Sequence, residues 1–296
     1  VSHVGRVGVI VNPISGPDGH RAGAGSARAA RARRTLERLG VTGDVVVTTT
    51  KGEAATLVAA LLAEGAERII AWGGDGTINE VAVPLIGRST PLGIVRSGSG
   101  DGLGRSLGIP ADPEAALARA VTGPTRALDV GYLGGRPFLN VAGVGFDATV
   151  AAAFNRGRRR GEGSYFLLTL QTIWTYRACR YRLRLEHEAS EATRFVVAFA
   201  NGREYGGRLV LSVDADPSDG WLDLVVVDDG SALRQLWRLR RLALGLRRPA
   251  EGIFRYRLRT ATIAGDRLVC HVDGETFETT GTLDVHLVPG ALQIAG

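Results

Sequence analysis

The sequence predicts an α/β domain with a doubly wound parallel sheet, followed by an all-β domain folded as a sandwich. Three observations predict it. Up to about residue 125, short apolar runs rich in β-branched residues alternate with Ala/Leu/Arg-rich helical runs. Beyond that point strand-like runs follow one another, separated by Asp-Gly, Gly-Gly and Gly-Glu turns. Three of the early strands also end in Gly/Asn/Asp/Ser loops, at the carboxyl ends where such sheets bind ligands.

The elements justify themselves in order. Residues 7–11 form a short β-branched run stopped by Asn12-Pro13, and residues 21–39 can carry one apolar helical stripe. Residues 45–49 are a second strand, and residues 53–63 an Ala/Leu helix closed by Gly65. The third strand, 68–72, runs straight into Gly73-Gly74-Asp75-Gly76-Thr77 and a helix to residue 86. The fourth, 92–95, enters Ser97-Gly98-Ser99-Gly100-Asp101-Gly102. In the second part, strands are expected at 138–139, 182–186, 195–200, 209–213, 222–227, 255–263, 268–272 and 283–288, with helices at 164–181 and 231–246. The domain boundary is placed near residues 124–129, giving domains at 1–126 and 127–286.

Composition narrows the classes. With 45% hydrophobic and 22% charged residues the chain is globular. Its two cysteines, Cys179 and Cys270, lie far apart and exclude a disulfide scaffold or a zinc ribbon. The formal charge is +6, carried almost wholly by arginine, since Lys51 is the one lysine. Lys51 stands in Thr-Lys-Gly-Glu, so there is no Walker A loop. No apolar run reaches a membrane span, and residues 1–11 have no leader-like apolar core, so a cytoplasmic protein is expected. Few aromatics and no recognition signature argue against nucleic acid as a partner.

Gly73-Gly74-Asp75-Gly76-Thr77 is the strongest chemical signal. Glycines at a strand-to-helix turn let backbone N–H groups approach a ligand, and the helix start favours phosphate. Asp75 in its middle suits a Mg²⁺ ion between protein and phosphates. Asn12-Pro13-Ile14-Ser15-Gly16 and residues 97–102 end neighbouring strands in the same way, and the three loops together make a phosphate-binding rim. In His271-Val272-Asp273-Gly274-Glu275, two carboxylates two residues apart can share one side, one as acceptor of a hydroxyl proton and one to orient it. His271 is assigned to the opposite face and given no role. Asp216-Pro217-Ser218-Asp219-Gly220-Trp221 resembles an oxygen-rich metal loop without EF-hand spacing.

Two further patterns stand apart. Gly104-Arg105-Ser106-Leu107-Gly108 matches the nucleophile elbow of hydrolases, yet Ser106 does not directly follow a strand. The second-half helices carry apolar stripes beside arginine: Arg156, Arg158, Arg159, Arg160, Arg177, Arg180 and Arg182 around the first, and Arg234, Arg238 and Arg241 as a cationic stripe on the second. They suit a peripheral, anionic membrane surface or, more plainly, amphipathic packing on a sheet.

These blocks together resemble the diacylglycerol kinase catalytic-domain superfamily of lipid kinases, which includes bacterial diacylglycerol kinases and sphingosine and ceramide kinases. The resemblance runs from Asn12-Pro13 through Gly73–Thr77 with Asn79-Glu80, Arg105 to Pro110, and Gly143-x-Gly145-Phe146-Asp147-Ala148. It continues through Asn201 with Tyr205-Gly206-Gly207, and Asp219-Gly220-x-Leu222-Asp223, to Asp273-Gly274-Glu275. It implies an NAD kinase/phosphofructokinase-like first domain, to which residues 287–296 return, and a β-sandwich second domain. It implies ATP and Mg²⁺ as cofactors and phosphorylation of a hydroxyl of a diacylglycerol- or sphingoid-type lipid. By the same resemblance Asp273 is the general base, Glu275 its partner, and Asp75 the rival for the base. Asn12, Gly73, Gly74, Asp75, Gly76, Thr77, Ser97, Gly98 and Ser99 would hold the nucleotide, and a structural Mg²⁺ would sit near Asp219 on main-chain oxygens of residues such as Asp216 and Trp221. Ser99-Gly100-Asp101-Gly102-Leu103 departs from the Thr-x-Asn-Asp-Phe of bacterial diacylglycerol kinases toward the sphingosine-kinase form, which leaves the acceptor open. A catalytically impaired regulatory homologue and a kinase of a soluble substrate are the alternatives. The pattern does not decide between a monomer and a homodimer.

Overall fold

The computed structural model describes residues 5–16, 23–98, 100–157, 162–205, 210–246 and 250–296. Ser99, the arginines at 158–160, and Gly206-Gly207 lie outside the described residues. Two compact units emerge, Val1–Leu128 with Gly290–Gly296, and Asp129–Pro289.

The first unit begins with β1 (Val7–Val11), α1 (Ala24–Leu39), β2 (Gly43–Val47), α2 (Glu53–Ala63), β3 (Arg68–Gly73) and α3 (Asp75–Ala82). It continues with β4 (Leu92–Arg96), α4 (Gly102–Ser106) and α5 (Pro113–Thr122). β1 pairs in parallel with β2 on one side and β3 on the other, and β4 pairs in parallel with β3. The spatial order is therefore 2-1-3-4, with the change of direction between β1 and β3. Helices α1 and α5 pack together on one face, and α2 and α3 on the other. Ile10, Ile70, Ala71 and Ile94 are consequently shut off from water on both faces, which is why these strands read as unbroken apolar runs. At α5, Asp112 accepts the Ala115 N–H at 2.8 Å and Pro113 fills the first turn, a start signal that the sequence reading passed over.

The chain then forms β5 (Thr125–Leu133), β6 (Arg136–Phe138), β7 (Val141–Gly145), α6 (Phe146–Arg156), α7 (Glu162–Thr175), β8 (Cys179–Arg184) and β9 (Ala189–Ala200). After them come β10 (Leu222–Asp228), α8 (Ala232–Ala243), β11 (Ile253–Leu258), β12 (Thr260–Val272) and β13 (Glu275–Ala295). In the second unit, antiparallel pairs link β11, β10, β9, β7, β12 and β13, and β8 bridges β9 to β12. Alternation along the strands makes two cores. Val197, Phe199, Leu224 and Val226 enter one with Leu268 and Cys270, whereas Val196, Ala198, Val225 and Val227 enter another with Phe146, Ile173 and Leu242. The second core places α6, α7 and α8 over the sheet as amphipathic covers. The last residues of β13, Ile294 and Ala295, pair in parallel with Leu92 and Gly93 of β4.

Four expectations need correction. The helix expected to reach residue 181 ends at Thr175, and Tyr181 is a buried residue of β8, because Cys179–Arg184 alternates in and out. Among the described residues of the strand expected at 209–213, only Val210 bridges, to Glu204. Residues 255–263 divide at Arg259 between β11 and β12. Arg238 is not part of a solvated stripe. It is 2% exposed and donates to the carbonyl oxygens of Asp228 at 2.7 Å and Glu251 at 3.1 Å.

Candidate active site

In the first unit the loops after β1, β3 and β4 are interlocked by side chains. Asn12 Nδ2 donates to Thr77 Oγ1 at 2.7 Å, and its Oδ1 accepts the Ile14 N–H at 3.0 Å. The Ser15 and Ser97 hydroxyls lie 2.7 Å apart, and the Ser97 N–H donates to the Gly73 carbonyl at 2.9 Å. The rim expected from Asn12, the Gly73–Thr77 loop and Ser97-Gly98 is therefore one assembly at the switch between β1 and β3. Arg28 of α1 completes it, donating to the Asn12 carbonyl at 2.8 Å, the Ser15 hydroxyl at 2.9 Å and the Ser15 carbonyl at 2.6 Å. Nothing in an Ala/Arg-rich helix sets this arginine apart from its neighbours, so the sequence reading missed it.

The glycines serve close approach of loop to loop. A Cβ on Gly98 would sit 2.7 Å from Gly74 Cα, so any side chain there pushes the two loops apart. Asp101 holds the same loop from inside: it has a left-handed backbone (φ 46°) and accepts the Gly98 N–H on Oδ1 at 2.7 Å. Asn also tolerates that backbone and offers the same acceptor to the Gly98 N–H. Asp75 Oδ2 accepts the Gly102 N–H, the first of α4, at 3.3 Å. Gly74 gives α3 no side-chain cap, so the first-turn N–H groups of α3 are oriented as an anion site beside Asn12, Thr77 and Asp75. A glycine cradle, a helix start and one carboxylate suit a triphosphate with a divalent ion.

Ser106 ends the short helix α4, so the strand–turn–helix geometry of a hydrolase elbow is absent there.

In the second unit, Asp273 and Gly274 form a two-residue turn with positive φ at both (47° and 87°), closing Val272 onto Glu275. Asp273 thus lies in the turn and Glu275 opens the next strand, so the two do not share a strand face. The Asp273 carboxylate accepts the backbone N–H groups of Leu139 at 2.8 Å, Asn140 at 2.9 Å and Val141 at 3.1 Å. Three amides aimed at one carboxylate fix its orientation and support its negative charge. Asn140 itself is braced, donating to the Glu204 carbonyl at 2.9 Å.

The side chains of the 216–221 loop are engaged by other protein groups. Asp219 pairs with Arg257 and accepts the Trp221 N–H at 3.0 Å, while Asp216 Oδ1 accepts from the Ser218 hydroxyl at 2.7 Å. Arg259 donates to the Gly220 carbonyl at 2.9 Å and lies over the Trp221 ring. Guanidinium groups thus meet the negative charge and the ring of this loop. Among the described residues no group of three or more His, Cys, Asp or Glu side chains is placed to hold a metal. Neighbouring Asp223 is pushed above the usual carboxylate range by burial.

The sequence reading also missed a polar cluster under the Asp273 turn. His271 Nε2 lies 2.6 Å from the Tyr205 hydroxyl and 3.2 Å from Asp147 Oδ2, and its Nδ1 accepts the Gly274 N–H at 3.4 Å. Burial, with Tyr165 and Asp147 nearby, raises the Tyr205 phenol well above its ordinary range. The signal was available, because residues 271 and 273 share strand parity.

Comparison with known proteins follows the same division. A family model described as "Diacylglycerol kinase catalytic domain" matches residues 6–133. Another, "YegS C-terminal NAD kinase beta sandwich-like domain", matches residues 140–296. The "Diacylglycerol kinase" of Mycobacterium tuberculosis is 30% identical over 299 residues, covering 98% of this chain and 95% of that protein. The "Probable lipid kinase YegS-like" of Chromohalobacter salexigens is 34% identical over 201 residues, 66% of this chain and 65% of that protein. A crystal structure of a diacylglycerol kinase from Bacillus anthracis superposes with a TM-score of 0.72 at 19% identity, covering 98% and 96% of the two chains. At that identity the superposition speaks for the fold alone.

Proposed function

Because the chain belongs to the diacylglycerol kinase family of lipid kinases, we propose that it moves the terminal phosphoryl group of ATP onto a hydroxyl of a diacylglycerol- or sphingoid-type lipid. The observation that carries the nucleotide half is the interlocked rim of Asn12, Ser15, Gly73–Thr77, Ser97 and Gly98 at the uncapped start of α3. In this reading the first-turn N–H groups, Asn12 and Thr77 hold the triphosphate, and Asp75 holds Mg²⁺, which when bound neutralises the phosphate oxygens. The lipid hydroxyl oxygen bonds to the γ-phosphorus, the bond to the β–γ bridging oxygen breaks, and ADP leaves. Asp273 accepts the hydroxyl proton. Its three amide donors fix its direction, so its work is to orient the hydroxyl and take the proton as the new bond forms. The test is labelled ATP with diacylglycerol, monoacylglycerol, sphingosine, ceramide and polyprenol in mixed micelles. One long-chain alcohol among them is expected to take label, and labelling of none would overturn the reading.

The same reading places the enzyme peripherally on an anionic membrane. Among the described residues no helix is long and apolar enough to cross a bilayer. The adjacent helices α7 and α8 instead expose Phe166, Leu167, Trp174 (64%), Leu233 (70%) and Trp237 (47%), flanked by exposed Arg177, Arg180, Arg234 and Arg240. Apolar side chains ringed by guanidinium groups match an interfacial surface of acidic lipids. Burying Leu233 and Trp237 in the interface contributes about 1.5–3 kcal/mol each. Leu233→Ala with Trp237→Ala is thus expected to weaken sedimentation with phosphatidylglycerol vesicles at least roughly tenfold. Raising salt to about 0.5 M should weaken it further, because the Debye length falls well below 10 Å. Unchanged binding by the double variant would remove this face from the docking surface.

A further inference from the structure

The Gly143-x-Gly145-Phe146-Asp147 block has no part in the chemistry derived so far, and neither has His271. The structure joins them. Gly143 stands opposite His271 in the β7–β12 register, and a Cβ there would collide with the Asp147 carboxylate and lie 2.7 Å from His271 Nε2. Only glycine leaves room for the Asp147–His271 contact. Gly145, with φ 112°, then turns the strand into α6 so that Asp147 falls in the first helical turn. From its other end α6 reaches the same turn again, Asn155 Nδ2 donating to the Gly274 carbonyl at 2.8 Å.

His271 is 1% exposed, and each ring nitrogen has its own work. Nδ1 accepts the Gly274 N–H, so that nitrogen carries no proton and Nε2–H faces Asp147 and Tyr205. One side of the ring is thus anchored in the sheet-and-helix core, and the other grips the peptide immediately after Asp273. Asp273 needs that grip. Its left-handed backbone is uncommon for a residue with a side chain, and its carboxylate meets Leu139, Asn140 and Val141 only while the turn holds its shape.

We propose that His271, anchored by Asp147 and Tyr205 in the space left by Gly143, is the positioning residue for Asp273, acting through the Gly274 N–H. The inference rests on the reading of Asp273 as the acceptor of the lipid hydroxyl proton. Misplacing a reacting group by about 1 Å can cost on the order of 100-fold in rate, so the effect belongs in kcat.

Two substitutions divide the ring between them. His271→Gln keeps a polar group near Nε2 for Asp147 and Tyr205 but loses the acceptor for Gly274. His271→Asn keeps the acceptor near Nδ1 and gives up the anchor. With labelled ATP and the panel lipid phosphorylated fastest, His271→Gln is expected to lower kcat roughly 10–100-fold while KM for ATP moves less than about twofold. His271→Asn should stay within about threefold of wild type. Combined with Asp273→Asn, His271→Gln should add no further loss, since it acts only through that carboxylate. Wild-type kcat in His271→Gln, the reverse order of the two variants, or a full additional loss in the double variant would overturn the proposal. Should Asp273→Asn alone retain wild-type turnover, the base assignment falls first, and a failure of positioning alone is thereby told apart.

Discussion

Asp273→Asn is expected to lower kcat for lipid phosphorylation by about 10²–10⁴-fold, the range for losing a positioned proton acceptor. The structure adds a cost that the sequence alone did not suggest. Asn can keep its Oδ1 toward Asn140 and Val141, and it tolerates the left-handed backbone, but its amide then faces the Leu139 N–H donor to donor. That mismatch costs about 1–3 kcal/mol of stability. A lowered midpoint in thermal unfolding should therefore accompany the lost turnover, with ATP binding by the first unit unchanged. Asp273→Glu separates the two effects. It restores a carboxylate, yet the longer side chain cannot reach the three amides from the same turn, so activity should remain depressed. If Asp273→Asn kept wild-type kcat with a lowered unfolding midpoint, the carboxylate would be a brace for residues 139–141 and no more.

How far the sequence disclosed this architecture depends on what each residue type advertises. The parallel strands were legible because burial on both faces leaves no polar position to interrupt Val7–Val11 or Arg68–Gly73 beyond their ends. The rim was legible because glycines and serines concentrate where loops must touch. Other parts gave weaker signals. β7, Val141–Gly145, carries glycine at its third and fifth positions and reads as a loop, since the reason for Gly143 is a contact with residues far along the chain. Arg28 and Arg238 look like any solvated arginine, although one ties the Asn12 loop together and the other is buried beneath α8. Charge is visible in a sequence, whereas the carbonyl groups that a guanidinium will find are set by tertiary structure. His271 was passed over for a simpler reason. It was assigned to the face opposite Asp273 although the two share strand parity, and the turn that follows breaks the alternation that was meant to place Glu275 beside Asp273.

The second large effect concerns Asp75, and it separates the two carboxylates that compete for the role of base. Asp75→Asn preserves an oxygen for the Gly102 N–H, so the loop between β4 and α4 keeps its bond and the fold should be little disturbed. What disappears is a full negative charge at the start of α3. A helix start attracts anions, so phosphate alone should bind Asp75→Asn no worse than wild type, and even slightly better. The loss should instead fall on the divalent ion, which takes carboxylate oxygen in preference to an amide. The expected result is a fall in kcat/KM for ATP of about 10²–10³-fold, together with a marked rise in the Mg²⁺ concentration giving half-maximal rate. Asp273→Asn should leave that Mg²⁺ concentration where it is in wild type. Titrating Mg²⁺ at saturating ATP for both variants reads the difference directly. If Asp75 were the base, its variant would show the wild-type Mg²⁺ dependence and lose only kcat, and Asp273 would lose its claim to the proton.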